Sequence, residues 1–210
     1  MNAIDAIFFI AILIMSVVIH EVSHGYVAEY FGDDTARRSG RLTLNPIKHL
    51  DLFGSIILPI LLYISAGFAF GWAKPVPYNP NNLRNKKWGT IAVASAGVLA
   101  NFSIAIIFGI LIRFAPSFGI PPYNPTMIHP FYAIVTNIVI LNIALGLFNL
   151  VPIPPLDGSK ILFNLLPKSF FNLIEFFERY SLIFLVIFIF FFSSFLYPLL
   201  ISIFHIITGI

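Results

Sequence analysis

The sequence predicts an all-α polytopic membrane protein with about five membrane segments. Of its 210 residues, 59% are hydrophobic and only 10% are charged, whereas a typical soluble domain is about 45–50% apolar and about 25% charged. A soluble single domain is excluded, because this number of charged residues is too small to cover a surface that faces water. The 24 phenylalanines indicate lipid as the solvent. The absence of cysteine rules out disulfides, thiolate metal ligands and thiol nucleophiles.

Five stretches are apolar enough to be membrane segments, since a span needs about 20 mostly apolar residues. In order they are 3–31, 52–72, 90–114, 131–151 and 180–207. The first lacks a signal-peptide cleavage site and is interpreted as retained. The second is interrupted by Pro59 and three glycines, so it either spans or re-enters, and short extended elements are expected between the first and third segments. The last is rich in phenylalanine and is interpreted as a lipid-facing anchor with a kink at Pro198.

The distribution of lysine and arginine predicts how the chain is oriented. Four basic residues follow the first segment, four precede the third, and the connection 113–130 holds only Arg113. Cytoplasmic loops of membrane proteins carry such an excess, so both basic loops are expected to face the cytoplasm. His20, His24 and Asp157 then lie toward the cytoplasmic ends of their segments and can share one depth. The net charge of +3 is small and scattered, so nucleic acid is not expected as a partner.

The candidate chemistry is concentrated in the HEVSH motif at residues 20–24. Side chains four residues apart project from one face of a helix, so His20 and His24 can hold one zinc ion. Glu21, beside the first histidine, can reach a water on that metal. The motif lies within an apolar helix, where burying these three side chains without a partner costs on the order of several kcal/mol.

Asp157 is the candidate third ligand, because a catalytic zinc usually takes three protein ligands and keeps one position open. Of nine carboxylate side chains, it is the one in an apolar, proline-rich turn between membrane segments, NLVPIPPLDG. The residues alone leave two other interpretations open. The motif could be a self-contained polar cluster such as a proton relay, and Asp157, which precedes a glycine, could be an ordinary turn residue.

Five motifs, taken in order, resemble the site-2 proteases, zinc metalloproteases that cut within membranes. They are HEVSH, then GRLTLNPIKHLDLFGS from Gly40, FGWAKPVPYNP from Phe70, ASAGVLAN from Ala94 and FNLVPIPPLDG from Phe148, and together they span about residues 20–160. The set is similar to the compact prokaryotic branch without PDZ or CBS domains. The resemblance implies one membrane protease domain over 1–210, with a catalytic core at about 3–166 and a C-terminal anchor helix at about 180–207.

The resemblance also implies a role for each site residue. His20, His24 and Asp157 would bind one zinc ion per chain. Glu21 would activate the zinc-bound water and pass its proton to the leaving amine. Asn149, eight residues before Asp157, matches a family asparagine that steadies the oxyanion or the substrate. From the residues alone, an amide in a membrane segment as often bonds a neighbouring helix.

Other polar residues in these motifs are interpreted structurally. Asn101 and Asn142 are expected to pack within the membrane, and residues 95–97 are expected to form a small-residue face for close helix contact. His49 and Asp51 are expected to cap their loop, with an auxiliary role at the substrate entrance as the alternative.

The predicted function is intramembrane zinc endopeptidase activity, which hydrolyses peptide bonds in transmembrane segments by a zinc-activated water. Expected partners are the lipid bilayer and a transmembrane or signal-peptide-remnant substrate, which the extended stretches GRLTLNP and GWAKPVPYNP could bind by strand addition. The protein is expected to be a multi-pass plasma-membrane protein with its active site toward the cytoplasm. Substrate identity and oligomeric state stay open.

Two alternatives belong to other functional classes. One is a metal or proton transporter that uses the same His and Asp residues, which would be expected to show repeated halves. No such repeat is visible in the sequence. The other is a pseudo-protease that binds membrane segments without cutting them, which the presence of all three candidate ligands and the base disfavours.

Overall fold

A computed structural model describes residues 3–57, 61, 64, 71 and 73–210 of the chain. Within these residues the α-helices are α1 (Ala3–Tyr30), α2 (Thr35–Arg38), α3 (Lys86–Phe114), α4 (Pro130–Leu150), α5 (Asp157–Leu165), α6 (Phe171–Arg179), α7 (Ser181–Ile187) and α8 (Ser193–Thr208). Short 3-10 helices occur at Pro46–His49, Ala115–Phe118 and Lys168–Phe170, and π-helical turns at Leu52–Ile57 and Phe188–Phe192. The predicted all-α class is confirmed. No strand is found in the described part of the chain, where residues 73–79 are non-helical and not paired into a sheet.

Three of the described helices are long and apolar enough to cross a membrane: Ile4–Tyr30, Lys86–Phe118 and Pro130–Leu150. They correspond to the first, third and fourth predicted segments. The fifth predicted segment is a pair of helices, Ser181–Phe191 and Ser194–Thr208, bent by 66°. This bend precedes Pro198, where the sequence predicted a kink. The predicted segment 52–72 lies largely outside the described residues.

The starts of the two central helices follow from their capping residues. The side chain of Asn85 accepts a hydrogen bond from the main-chain nitrogen of Trp88 and so satisfies one free donor of the first turn of α3. His129 does the same at α4, where Pro130 at the first helical position has no N–H to satisfy. Both helices are thereby fixed at the residue where they enter the apolar region.

Helix α3 lies at the centre of the bundle and packs against α1, α4, α5 and α8. Its contacts with α1 pair His24 with Val93, and His20 with Asn101. Residue numbers rise along α3 as they fall along α1, so the two helices are antiparallel. A buried apolar cluster joins α3 and the 3-10 helix after it to α4 and α8, and it consists of Ala105, Ile112, Ala115, Tyr132, Val135, Val139, Ile143, Leu147 and Phe204.

The loop before α3 is tied to the end of α1 by Asp33, which is fully buried. Its carboxylate accepts hydrogen bonds from the main-chain nitrogen of Asn79 at 2.6 Å and from Nδ2 of Asn82 at 2.9 Å. It also accepts a hydrogen bond from the hydroxyl of Thr35. These bonds hold the loop that follows residues 73–79 against the C-terminal end of α1.

Candidate metal centre

Two histidines on the C-terminal half of α1 meet one aspartate at the start of α5. His20 and His24 lie on successive turns of one face of α1, and Asp157 is the first residue of α5. The Nε2 atoms of both histidines lie 3.1 Å from Oδ2 of Asp157, and the three ligand atoms are all within 4.8 Å of one another. The residues are buried, with exposed fractions of 6%, 8% and 5%. The fold therefore joins candidate ligands that are up to 137 residues apart.

Helix α3 makes room for both histidine rings at Gly97. A Cβ atom at this position would lie 2.5 Å from Cε1 of His20 and 2.6 Å from Nε2 of His24. Since packed interiors leave no such overlap unrelieved, any larger residue would displace the rings. Residues 95–97 were predicted to be a general packing face. The structure shows that Gly97 packs against the candidate ligands themselves, and the small-residue run ASAG was its only signal.

Each histidine is held from behind by an oxygen atom on α3. Nδ1 of His24 lies 2.6 Å from the main-chain oxygen of Val93. Nδ1 of His20 lies 2.6 Å from Oδ1 of Asn101. Partners of this kind orient the rings of metal-binding histidines. Asn101, predicted only to pack within the membrane, therefore contacts a candidate ligand directly.

Asp157 is held on its other side by Lys160, one turn along α5. Nζ of Lys160 lies 3.2 Å from Oδ1 of Asp157, and Oδ2 faces the histidines. Asp157 therefore faces a cationic side chain with one oxygen and the two histidines with the other.

The chemistry of the three converging atoms suits zinc. A main-chain carbonyl can only accept a hydrogen bond, so Nδ1 of His24 carries its hydrogen and Nε2 of the neutral ring presents a lone pair. That lone pair faces a carboxylate oxygen at 3.1 Å, an arrangement of two acceptors that needs a proton or a cation between them. Two imidazole nitrogens and one carboxylate oxygen are a ligand set that catalytic zinc takes, with one position left for water or substrate.

Glu21 is half-buried and faces the segment 73–79. Its Oε2 atom accepts a hydrogen bond of 2.9 Å from the main-chain nitrogen of Val76. The buried Arg41 holds the same segment, because its Nη2 donates to the main-chain oxygens of Lys74 at 2.6 Å and Pro75 at 3.2 Å. The loop after α1 and the segment before α3 therefore meet beside the candidate base. Nothing in the spacing of the sequence indicated this contact.

The other predicted residues take positions of their own. Asn149 donates its side-chain amide to the main-chain oxygen of Leu145, one turn back on α4, at 3.0 Å. The buried His49 donates from Nε2 to the main-chain oxygen of Thr43 at 2.9 Å. Asp51 accepts a hydrogen bond from a main-chain nitrogen of the π-helical turn that follows it. The contacts of His49 and Asp51 agree with the capping interpretation.

The chain is similar to known zinc metalloproteases. The model of "Peptidase family M50" matches residues 8–121 and 119–193. The chain is 40% identical over 180 residues to "Putative zinc metalloprotease YwhC" of Bacillus subtilis, covering 84% of this chain and 78% of that protein. It is 31% identical over 146 residues to "Putative zinc metalloprotease Rip2" of Mycolicibacterium smegmatis, covering 69% and 52%. It is 28% identical over 165 residues to "Zinc metalloprotease MJ0392" of Methanocaldococcus jannaschii, covering 79% and 36%. No solved structure matches.

Proposed function

The chain belongs to peptidase family M50, and we propose that it cuts peptide bonds within membrane-spanning segments with one zinc ion held by His20, His24 and Asp157. It is a multi-pass membrane protein and a zinc metalloprotease of the site-2 type. The observation that carries the residue assignment is the convergence of the three ligand atoms within 4.8 Å. His20, His24 and Glu21 lie on a helix that is apolar enough to cross a membrane, and Asp157 meets them from α5.

Glu21 is the residue that we assign to proton movement. A zinc ion in such a site polarises the scissile carbonyl and lowers the pKa of water to about 7. Because the N–H of Val76 holds Oε2 of Glu21, Oε1 is the oxygen assigned to take the proton from the attacking water. The same carboxyl then gives the proton to the leaving amine. A positioned acid–base group of this kind contributes typically about 10²–10⁴-fold to the rate.

The segment 73–79 is the proposed binding site for the unwound substrate. A transmembrane helix hides its carbonyl groups in its own hydrogen bonds, so it must become extended before it can be cut. An extended chain can pair with another extended segment through main-chain hydrogen bonds. Asn149 is the proposed donor to the developing oxyanion: one hydrogen of its Nδ2 bonds the main-chain oxygen of Leu145, and the second is the one assigned to the oxyanion. Loss of one such donor costs about 10²–10³-fold in rate.

An apolar cavity of about 460 Å³ beside α1 is the proposed path of the substrate to the site. Its lining includes Val17, one helical turn before Glu21 on α1, and Ala73, three residues before Val76. His49 and Leu13 also line it. An apolar substrate segment in this cavity would lie along α1 as far as Val18, three residues before Glu21.

The proposed site faces the cytoplasm of a plasma-membrane protein. The proposal depends on the basic residues before α3, among them Arg84, Lys86 and Lys87, which cytoplasmic loops favour. Since the chain has no cysteine, single cysteines placed at 80–88 can be tested with an impermeant thiol reagent. Labelling from outside the cell would contradict the proposed orientation.

The decisive experiment compares wild type with Glu21→Gln and Glu29→Gln. Glu29 is a matched control because it lies two turns further along α1 and pairs with Arg37. Each protein is purified in detergent, its zinc per chain is measured, and it is assayed against a model transmembrane substrate. We expect about one zinc in all three, and cleavage by wild type and Glu29→Gln but not by Glu21→Gln, whose rate falls at least about 10²-fold.

Three results would contradict the proposal. A wild-type protein that holds no zinc, even after reconstitution, would remove the metal site. Equal cleavage by wild type and Glu21→Gln would remove the base assignment. Wild-type protein that holds zinc but cuts none of several transmembrane substrates would favour a pseudo-protease.

A further inference from the structure

A chain of buried polar side chains crosses the helix bundle behind His20. Nδ2 of Asn101 on α3 lies 2.8 Å from Oδ1 of Asn142 on α4, whose Nδ2 lies 2.9 Å from the hydroxyl of Ser16 on α1. Both asparagines are fully buried, and Ser16 is 3% exposed. These polar groups therefore link three membrane helices and end on a candidate zinc ligand.

We propose that this network places the proton of His20 on Nδ1, which makes Asn101 a positioning residue for the zinc site. The proposal rests on the proposed function, because it concerns how His20 is presented to zinc. It assigns the buried amides a task beyond packing: they determine which ring nitrogen of His20 can bind the metal.

The direction of each hydrogen bond follows from one main-chain carbonyl. Nδ2 of Asn142 lies 2.8 Å from the main-chain oxygen of Ile138, and since a carbonyl only accepts, the group that faces it must be the NH₂. The oxygen of Asn142 therefore faces Asn101, which must donate to it. The oxygen of Asn101 then faces His20, so Nδ1 of His20, at 2.6 Å, must carry the hydrogen. Nε2 of His20 is left with its lone pair toward Asp157.

The alternative tautomer of His20 would disable the site. It places a hydrogen on Nε2, which then cannot coordinate a cation, and turns two acceptors, Nδ1 and Oδ1 of Asn101, toward each other. In a buried network, the free energy lost by leaving a polar group unpaired is larger than the free-energy difference between the two tautomers of a neutral imidazole. His24 needs no such device, because its Nδ1 bonds the main-chain oxygen of Val93. Substitution of Asn101 therefore affects the tautomer of only one ligand.

The test measures zinc affinity of the full chain in detergent, by competition with a chelator. Asn101→Leu removes the acceptor, and Asn137→Leu is the control. Asn137 is an amide on α4 that donates to the main-chain oxygen of Ala133, away from the network. We expect Asn101→Leu to bind zinc about 10–100-fold more weakly, and Asn137→Leu to stay within about 3-fold of wild type.

Cobalt substitution and thermal unfolding separate positioning from folding. The visible absorption of bound Co²⁺ reports ligand geometry, so we expect it to change in Asn101→Leu and to be unchanged in Asn137→Leu. Thermal unfolding with chelator present shows whether each variant is folded without metal. A merely structural role would lower the unfolding temperature without changing zinc affinity or the cobalt spectrum.

Each outcome decides between the two proposals. If wild type binds no zinc, the proposed function itself fails. If wild type binds zinc and folded Asn101→Leu binds it equally well, only the positioning role is overturned. Should Asn101→Leu not fold, Asn142→Leu replaces it, because it removes the nearer of the two acceptors that hold the amide of Asn101, Oδ1 of Asn142 at 2.8 Å, and leaves the main-chain oxygen of Ser16 at 3.5 Å. We expect it to lose about 10-fold in affinity, and unchanged affinity would overturn the proposal.

Discussion

The main-chain nitrogen of Val76 lies 2.9 Å from Oε2 of Glu21. Val76 is flanked by Pro75 and Pro77, which have no N–H, so it carries the only main-chain donor of that run. The contact joins the proposed base on α1 to the segment proposed to bind the substrate. Movement of this segment would therefore also move the carboxylate.

Replacement of Val76 by proline tests this coupling. Val76→Pro removes the N–H that Glu21 accepts, so we expect substrate cleavage to fall about 10-fold or more, within the range that a positioned base contributes. Zinc content is expected to stay unchanged, because Val76 is not one of the proposed ligands. Val76→Ala is the control, since it shortens the side chain and keeps the N–H. Equal rates for the two variants would show that the hydrogen bond does not position Glu21.

Gly97→Ala is expected to weaken zinc binding. The added Cβ would lie 2.5 Å from Cε1 of His20 and 2.6 Å from Nε2 of His24, and overpacking of this kind typically costs about 1–3 kcal/mol or moves the side chains apart. We expect zinc affinity, measured by chelator competition, to fall about 5–150-fold, the factor to which about 1–3 kcal/mol corresponds. Gly89→Ala, on the same helix, meets only the side chain of Leu83 at 3.1 Å and should keep its zinc. Full zinc binding by Gly97→Ala would show that α3 can move away from the histidines.

Asp33→Ala is expected to destabilise the junction between α1 and the loop before α3. The substitution leaves the main-chain N–H of Asn79 and the amide of Asn82 without their acceptor. A buried group left unpaired costs about 1–3 kcal/mol, which thermal unfolding in detergent can detect. Asp34→Ala is the control, because Asp34 pairs with the exposed Arg38 in a surface ion pair worth about 0–1 kcal/mol. Equal unfolding temperatures for the two variants would contradict the expectation.

The stabilising effect of Asp33 should also depend on pH. Burial raises the pKa of Asp33, but hydrogen bonds from Thr35, the main chain of Asn79 and the side chain of Asn82 lower it below its ordinary value of 3.8. A lowered pKa means that the stabilisation is complete above the ordinary value and is lost as pH falls through the folded-state pKa. The difference in unfolding temperature between wild type and Asp33→Ala should therefore narrow below about pH 4. A difference that stays constant down to about pH 2 would rule out this ionisation as its source.

Short sequence patterns were enough to predict much of the candidate site. His20, Glu21 and His24 lie within two turns of one helix, where spacing alone determines which side chains share a face. Helix class and three membrane segments could be predicted because a span requires a long apolar run, whatever it packs against. Asp157 could be predicted as the third ligand because it is a carboxylate in an apolar, proline-rich turn between membrane segments.

The contacts that complete the site lie between helices and had no such local signature. The motif HEVSH is contacted by Gly97, Asn101 and Val76, which are at least 52 positions away from it in the sequence. Helix spacing tells which residues share a face, but not which face meets which neighbour, because that depends on how all the side chains pack together. The order of the residues by itself therefore determined the motif and its zinc chemistry. The packing of α1 against α3 and the segment before it decided the rest: the space for the histidine rings, the tautomer of His20 and the hydrogen bond that holds Glu21.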